Sequence, residues 1–72
     1  MVEVIPTAAS TQIQSVVYDD ETMELTIWFR RGGVYQYFQV PGDVVSGFRQ
    51  ALSAGRYFMQ FVKDSFDYEK IG

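Results

Sequence analysis

Aromatic and arginine side chains gather around a pair of glycines in the middle of the chain. They are Trp28, Arg30, Arg31, Tyr35 and Tyr37, on either side of Gly32-Gly33. An aromatic ring on an open surface can stack on an unpaired base, which contributes about 1–3 kcal/mol per base. Arginine adds cation–π contacts and pairs with phosphate. Side chains of these types on one surface would therefore suit the recognition of single-stranded RNA.

The residue types of this chain give little support for a catalytic function. The chain has no histidine and no cysteine, so the commonest acid–base group, the commonest metal ligand and the thiol nucleophile are all missing. No base is evident that could activate a serine. Four acidic residues stand close together at Asp19, Asp20, Glu21 and Glu24, but their spacing fits no calcium loop. We expect no enzyme activity, no cofactor and no metal site.

Composition indicates one small globular domain. A chain of 72 residues has room for a single domain, and an apolar fraction of 47% with 17% aromatic residues is enough to build a core. No apolar run approaches the length of a membrane span, and the first ten residues lack the basic cluster of a signal peptide. We expect a cytoplasmic protein that makes no membrane contact.

Charge is unevenly distributed along the chain. The formal net charge is −3, which argues against non-specific binding to nucleic acid. Residues 30–63 nevertheless contain five basic residues and one acidic residue. Arg31 and Arg56 lie in this segment, and we expect them to add positive charge to a nucleic-acid-binding surface. The alternative is a solvated surface whose ion pairs contribute about 0–1 kcal/mol each.

Strand patterns occupy residues 12–40. Met23, Leu25, Ile27 and Phe29 alternate with more polar positions, which places them on one face of a strand. A strand over about residues 12–18 precedes it and a third over residues 34–40 follows the Gly-Gly turn. We therefore predict a three-stranded antiparallel β-meander.

Helix patterns occupy residues 43–63. Val44, Val45, Phe48 and Leu52 recur at helical spacing, and a second helix is predicted over about residues 56–63 after a break at Ser53. The order of elements predicts an α+β fold with the meander followed by two helices packed on one face. The whole chain, 1–72, is then one domain, with residues 1–10 as an N-terminal extension and residues 64–72 as a tail.

The register of the Gly-Gly hairpin decides which face the tyrosines occupy. With Gly32 and Gly33 as a two-residue loop, Trp28 pairs with Tyr37, and the platform of Trp28, Arg30, Tyr35 and Tyr37 faces away from the helices. This is the commoner hairpin and is the one we favour. With a three-residue loop from Arg31 to Gly33, Ile27 pairs with Tyr37 and both tyrosines face the core. In that case the rings are core side chains or part of a dimer interface.

Short motifs across the chain resemble the KTSC domain, a small domain found at the C-terminus of some lysyl-tRNA synthetases and also alone. Its central Tyr-x-Tyr…Val-Pro signature is matched by Tyr35-Gln36-Tyr37 and Val40-Pro41. Its Ser-x-Gly-x-Tyr-Phe motif is matched by Ser53-Ala54-Gly55-Arg56-Tyr57-Phe58, and its opening by Ser10, Ile13, Val16 and Tyr18-Asp19. The resemblance covers about residues 10–68.

The resemblance implies a small non-enzymatic domain without a cofactor, and the synthetase context implies contact with RNA. We expect the partner to be tRNA or single-stranded RNA. The expected nucleic-acid-binding residues are Trp28, Arg30, Arg31, Tyr35, Tyr37 and Arg56. The alternative is a protein-interaction or self-association domain, for example a homodimer, that uses the same face.

Overall fold

The computed structural model describes residues 1–7 and 12–72. Its strands are β1 Val2–Val4, β2 Ile13–Asp19, β3 Glu24–Phe29, β4 Gly33–Tyr37 and β5 Tyr68–Lys70, and its helices are α1 Gly42–Gln50 and α2 Ala54–Phe61. The strands form one antiparallel sheet in the order β1-β2-β3-β4-β5. The predicted α+β fold is confirmed, with five strands where the sequence predicted three. In residues 1–7 and 12–72, no helix is long and apolar enough to cross a membrane.

Alternation along the central strands gives the sheet one buried face. Leu25 and Ile27 are fully buried, whereas Thr26 and Trp28 between them are half-buried. A bulge near the start of β2 shifts its register between Ile13 and Ser15. Ile13 and Val16 are three residues apart, and the bulge lets both side chains lie on the buried face of the sheet. One face of the meander therefore carries the core, as period two requires.

Two short edge strands extend the meander. β1 pairs with β2, and β5 pairs with β4 so that Tyr68 lies opposite Tyr37. These strands fall in the segments predicted as an N-terminal extension and a tail. Their pairing satisfies backbone groups that the outer strands of a three-stranded sheet would leave exposed. Part of the predicted extension, together with Ser10 of the family motif, lies outside the described residues.

The helices close one side of the core. Val45 and Phe48 of α1 and Phe58 of α2 are buried with the sheet residues. α2 begins at Ala54, two residues earlier than the sequence predicted, because the Ser53 hydroxyl accepts a hydrogen bond from the Arg56 backbone N–H at 3.3 Å and caps the helix.

The β3–β4 hairpin adopts neither register considered from the sequence. Phe29 pairs with Gly33 and Ile27 with Tyr35, so the loop consists of residues 30–32. The favoured two-residue register is wrong. The three-residue alternative had the correct face for the tyrosines, but its pairs are displaced by two residues. Gly33 has φ +92°, the left-handed conformation that a three-residue hairpin loop needs at its end.

Candidate functional site

The predicted platform of Trp28, Arg30, Tyr35 and Tyr37 does not form as one surface. Tyr35 and Tyr37 pair with Ile27 and Leu25, whose side chains point towards the helices. Trp28 pairs with Val34 and points to the opposite face of the sheet. The prediction of a shared outward face is therefore wrong, because the real register places the rings on two sides of the pleat.

The two tyrosines instead join a cluster of rings on the helix side. The Tyr37 ring packs edge-on against Phe58 at 5.5 Å between centroids and lies 5.4 Å from the Tyr68 ring. Tyr35 lies 5.6 Å from Phe29 and 5.7 Å from Tyr68. Offset and edge-to-face arrangements of this kind are favourable beyond simple burial. Sheet, tail and α2 therefore hold five rings in fixed relative positions.

An open cleft of about 520 Å³ runs along this ring cluster, and we call it the aromatic cleft. Its lining residues are Gln12, Phe29, Arg31, Gly32, Tyr35, Tyr37, Phe58, Lys63, Asp64 and Tyr68. The volume lies in the range of about 300–1,000 Å³ that is typical of small-molecule sites. Aromatic walls with a few polar groups are also the usual composition of such sites.

Three charged side chains line the aromatic cleft. Arg31 comes from the hairpin loop, and Lys63 and Asp64 follow the end of α2. Within the described part of the chain, neither Arg31 nor Lys63 forms an ion pair, whereas Arg49 of α1 pairs with Glu3 at 2.7 Å. The cleft therefore carries two cations that are available to an anionic ligand.

Tyr37 is a buried residue among those that line the aromatic cleft. Tyr37 is 3% exposed, and burial raises its pKa to about 12, with smaller contributions in the same direction from Tyr68, Tyr35 and Asp64. The phenol is neutral at physiological pH, as an ordinary tyrosine is, and burial extends that neutral range to higher pH. The other buried phenol, Tyr18, donates to the Val40 carbonyl at 2.6 Å. The Tyr37 hydroxyl makes no such bond to residues 1–7 or 12–72.

The remaining predicted site residues lie outside the aromatic cleft. Arg30 is exposed in the hairpin loop, and its backbone N–H donates to the Gln12 carbonyl at 2.9 Å. Arg56 is exposed in the first turn of α2. Trp28 lines a shallow recess on the other face of the sheet with Gln14, Ser15 and Val17. The structure thus brings together Arg31, Tyr35 and Tyr37 and separates them from the other three.

Five residues of the aromatic cleft were not among the predicted site residues although they carry its rings and charges. They are Phe29, Phe58, Lys63, Asp64 and Tyr68. A signal for Tyr68 was present: Phe66 and Tyr68 alternate with Asp67 and Glu69 in the tail, a pattern that indicates a strand. Paired antiparallel to the last strand of the meander, such a strand would carry Tyr68 to the tyrosine pair.

Comparison with known proteins relates nearly the whole chain to one family. The model of the KTSC domain matches residues 9–66. The chain is 39% identical over 59 residues to a lysine–tRNA ligase of Nostoc punctiforme, and 41% over 59 residues to that of Trichormus variabilis. These matches cover 82% of this chain but 10% of each ligase. The chain thus spans about a tenth of the length of the ligases it matches.

Two further relatives are similar in size to this chain. A protein of Stutzerimonas stutzeri is 39% identical over 54 residues, which cover 75% of this chain and 76% of that protein. The crystal structure of a KTSC domain protein from Yersinia pestis superposes with a TM-score of 0.90 and 36% sequence identity, covering 100% of both chains. The five-stranded sheet and two helices are therefore shared with a solved structure.

Proposed function

The chain belongs to the KTSC domain family, and from this premise we propose that it is a non-enzymatic module that binds single-stranded RNA by taking an unpaired base into the aromatic cleft. Similar segments lie within lysine–tRNA ligases, whose name states a tRNA substrate. The same partner class is proposed for this chain, either tRNA or another RNA with unpaired bases.

The observation that carries the proposal is the pair of accessible rings in the aromatic cleft. Tyr68 is 57% exposed and Tyr35 is half-buried, and both line the cleft. A ring that is held by its neighbours loses little conformational entropy when a base stacks on it. Stacking on such rings contributes about 1–3 kcal/mol per base and tolerates any base, because every base has a π-face.

Charge at the aromatic cleft supports an anionic polymer as the partner. Arg31 and Lys63 lie beside the rings, where a phosphate that flanks a stacked base would meet them. Arginine pairs with phosphate in a two-pronged geometry, and lysine acts as a point charge. The net charge of −3 opposes binding elsewhere on the surface, so we propose that binding is confined to this cleft.

The residue types of the aromatic cleft support a binding role over catalysis. Its lining contains no histidine, cysteine, serine or threonine, so the histidine base and the serine, cysteine and threonine nucleophiles are missing from it. Burial raises the pKa of Tyr37 to about 12, which makes loss of its proton harder than for an ordinary tyrosine. The groups present can hydrogen-bond, stack and neutralise charge.

Substitution of one exposed ring tests the proposed function. Tyr68→Ala removes a wall of the aromatic cleft and is expected to weaken binding of a short single-stranded RNA about tenfold, the loss of one stacking contact. Phe61→Ala is the matched control, since Phe61 is 48% exposed in α2 but does not line the cleft. Affinities are measured by NMR titration at low salt. Equal losses in both variants, or chemical-shift changes centred on Trp28, would contradict the proposal.

A second candidate function, self-association, is favoured by the opposite face of the sheet. Val2 and Val4 of β1 are 64% and 68% exposed there, and Val17, Trp28 and Val34 extend the apolar surface across the sheet. Exposed apolar patches of several hundred Å² commonly mark interfaces. This face would serve a homodimer or another protein partner.

Light scattering behind a sizing column tests self-association. If the open face is a dimer interface, Val4→Lys converts the dimer to a monomer, because it buries a charge at the interface. Met59→Lys, on the exposed side of α2, should leave the dimer intact. A monomer for the unmodified chain at high micromolar concentration excludes this candidate.

A further inference from the structure

Two polar groups of the aromatic cleft have no role in stacking. One is the Tyr37 hydroxyl, which makes no hydrogen bond to the described residues. Because those residues include no fully buried side-chain oxygen without a partner, this hydroxyl opens into the cleft. The other is the carboxylate of Asp64, which lines the same cleft and forms no ion pair within the described part of the chain. A donor and an acceptor that line one cleft can recognise the hydrogen-bonding edge of a ligand.

We propose that the aromatic cleft selects guanine over the other bases, with Tyr37 and Asp64 as its specificity residues. The proposal rests on the proposed function, because stacking holds the base while the two polar groups distinguish it. Stacking alone tolerates any base. Selection therefore requires hydrogen bonds to the base edge.

The polar groups of the aromatic cleft complement one base better than the others. Along its pairing edge, guanine presents an acceptor at O6 followed by donors at N1 and N2. The Tyr37 hydroxyl donates to O6, and the Asp64 carboxylate accepts from both N–H groups. Adenine, cytosine and uracil each lack this order of one acceptor and two donors. With any of them, the carboxylate receives fewer hydrogen bonds or faces a base acceptor.

The state and position of Tyr37 fit this role. The phenol is a neutral donor at physiological pH, and burial raises its pKa further, to about 12. The Tyr37 and Asp64 side chains line the same cleft. In the proposal, one base meets both groups along a single edge.

The two cations of the aromatic cleft define the rest of the ligand. Arg31 and Lys63 line the cleft without ion-pair partners in residues 1–7 and 12–72, so a phosphate attached to the bound nucleoside would meet them. The ligand chemistry is thus a guanosine that carries phosphate. Such a group occurs both in RNA and as the free nucleotide.

Titration with nucleotides tests the selection of guanine. We expect guanosine monophosphate to bind roughly tenfold tighter than adenosine monophosphate, as for one good bidentate contact to a base. Inosine monophosphate lacks the N2 amino group and should fall between them. Asp64→Asn and Tyr37→Phe should each lower guanosine monophosphate affinity more than adenosine monophosphate affinity, so that the two affinities converge. Asp67→Asn is the matched control, since Asp67 is exposed and does not line the cleft.

A second series of ligands shows whether the cleft binds guanine within RNA or as the free nucleotide. Tighter binding of a single-stranded hexamer with one guanine than of the monophosphate assigns the site to RNA, whereas equal affinity assigns it to the free nucleotide. Equal affinities for all four monophosphates, still weakened by Tyr68→Ala, would overturn the selection of guanine and leave the binding module standing. Absence of binding to every nucleotide and hexamer would overturn the proposed function together with this inference.

Discussion

The Tyr37 ring is buried among other rings, whereas its hydroxyl makes no hydrogen bond to residues 1–7 or 12–72. These two properties seldom occur together in one side chain. Tyr18 shows the usual solution, a short hydrogen bond to a backbone carbonyl. Leaving a polar atom open at the base of a hydrophobic cleft costs stability unless solvent or a ligand reaches it. The hydroxyl opens into the cleft, where solvent or a ligand reaches it, and it is the group to which the proposed selection of guanine assigns a hydrogen bond.

Burial of Tyr37 predicts a loss of stability at high pH. The folded-state pKa is about 12 against 10 for an exposed tyrosine, so the folded protein holds the phenol proton more tightly than the unfolded chain does. The stabilisation is complete below pH 10 and is lost as the pH rises towards about 12, by up to about 3 kcal/mol. Burial also raises the pKa of Tyr18 and Tyr57, which act in the same direction.

Urea unfolding at pH 9 and pH 11 measures this effect. We expect the free energy of unfolding to fall between the two values in the unmodified chain and to fall less in Tyr37→Phe, which has no phenol proton at this position. The same fall in both proteins would show that Tyr37 does not contribute.

At the scale of elements, the contact between the two helices depends on a glycine inside α1. The Tyr57 ring of α2 lies over Gly47, and its hydroxyl donates to the Val44 carbonyl at 2.5 Å. A Cβ at position 47 would overlap the phenol oxygen. The glycine that weakens α1 by its own propensity is thus required by the packing of α2.

Gly47→Ala tests this contact. Alanine in a helix interior normally adds up to about 1 kcal/mol, but here we expect a net destabilisation of about 1–3 kcal/mol, because the Tyr57 ring must move. Gly42→Ala is the control, since a Cβ there meets nothing within 4 Å, and it should be neutral or slightly stabilising. Thermal unfolding of both variants gives the comparison, and stabilisation of the Gly47 variant would refute the packing argument.

Local patterns were sufficient to predict the strands of the meander and both helices, but they did not determine the hairpin register. Alternation in β3 and helical spacing in α1 are properties of neighbouring residues. The register depends on distant partners, since the Arg30 N–H donates to the Gln12 carbonyl and the Val34 N–H to the Gly72 carbonyl. A change of register by one residue moves every side chain of a strand to the other face of the sheet. The wrong register therefore placed Tyr35 and Tyr37 on the open face, whereas they lie on the helix side. Of the predicted site residues, the aromatic cleft therefore contains Arg31, Tyr35 and Tyr37, whereas its other rings and charges come from positions that the local patterns did not single out.

At the scale of the whole molecule, an acidic protein places two cations, Arg31 and Lys63, at the aromatic cleft. If RNA binds there as proposed, the net charge opposes its approach and these two side chains provide local attraction. Recognition of this kind should depend weakly on salt, because few phosphates are neutralised. It differs from proteins that bind nucleic acid through an extended basic face.

Salt dependence gives the number of phosphates that the aromatic cleft contacts. For two contacts on a single strand, the logarithm of the association constant should fall against that of salt concentration with a slope of about −1.4. Lys63→Gln should reduce the slope by about 0.7. Arg56→Gln, an exposed cation outside the cleft, should leave it unchanged, and an equal effect in the two variants would show that the RNA extends beyond the cleft.

The three-residue strand β5 supplies one wall of the aromatic cleft through Tyr68. The shape of the cleft therefore depends on the pairing of a short edge strand with β4. Amides at such an edge exchange with solvent through small local openings that leave the core folded. A base stacked on the Tyr68 ring would add contacts to this strand and oppose such openings. Binding of a base in the cleft should then slow the hydrogen exchange of the backbone amides of residues 68–70, whereas the helices need not move.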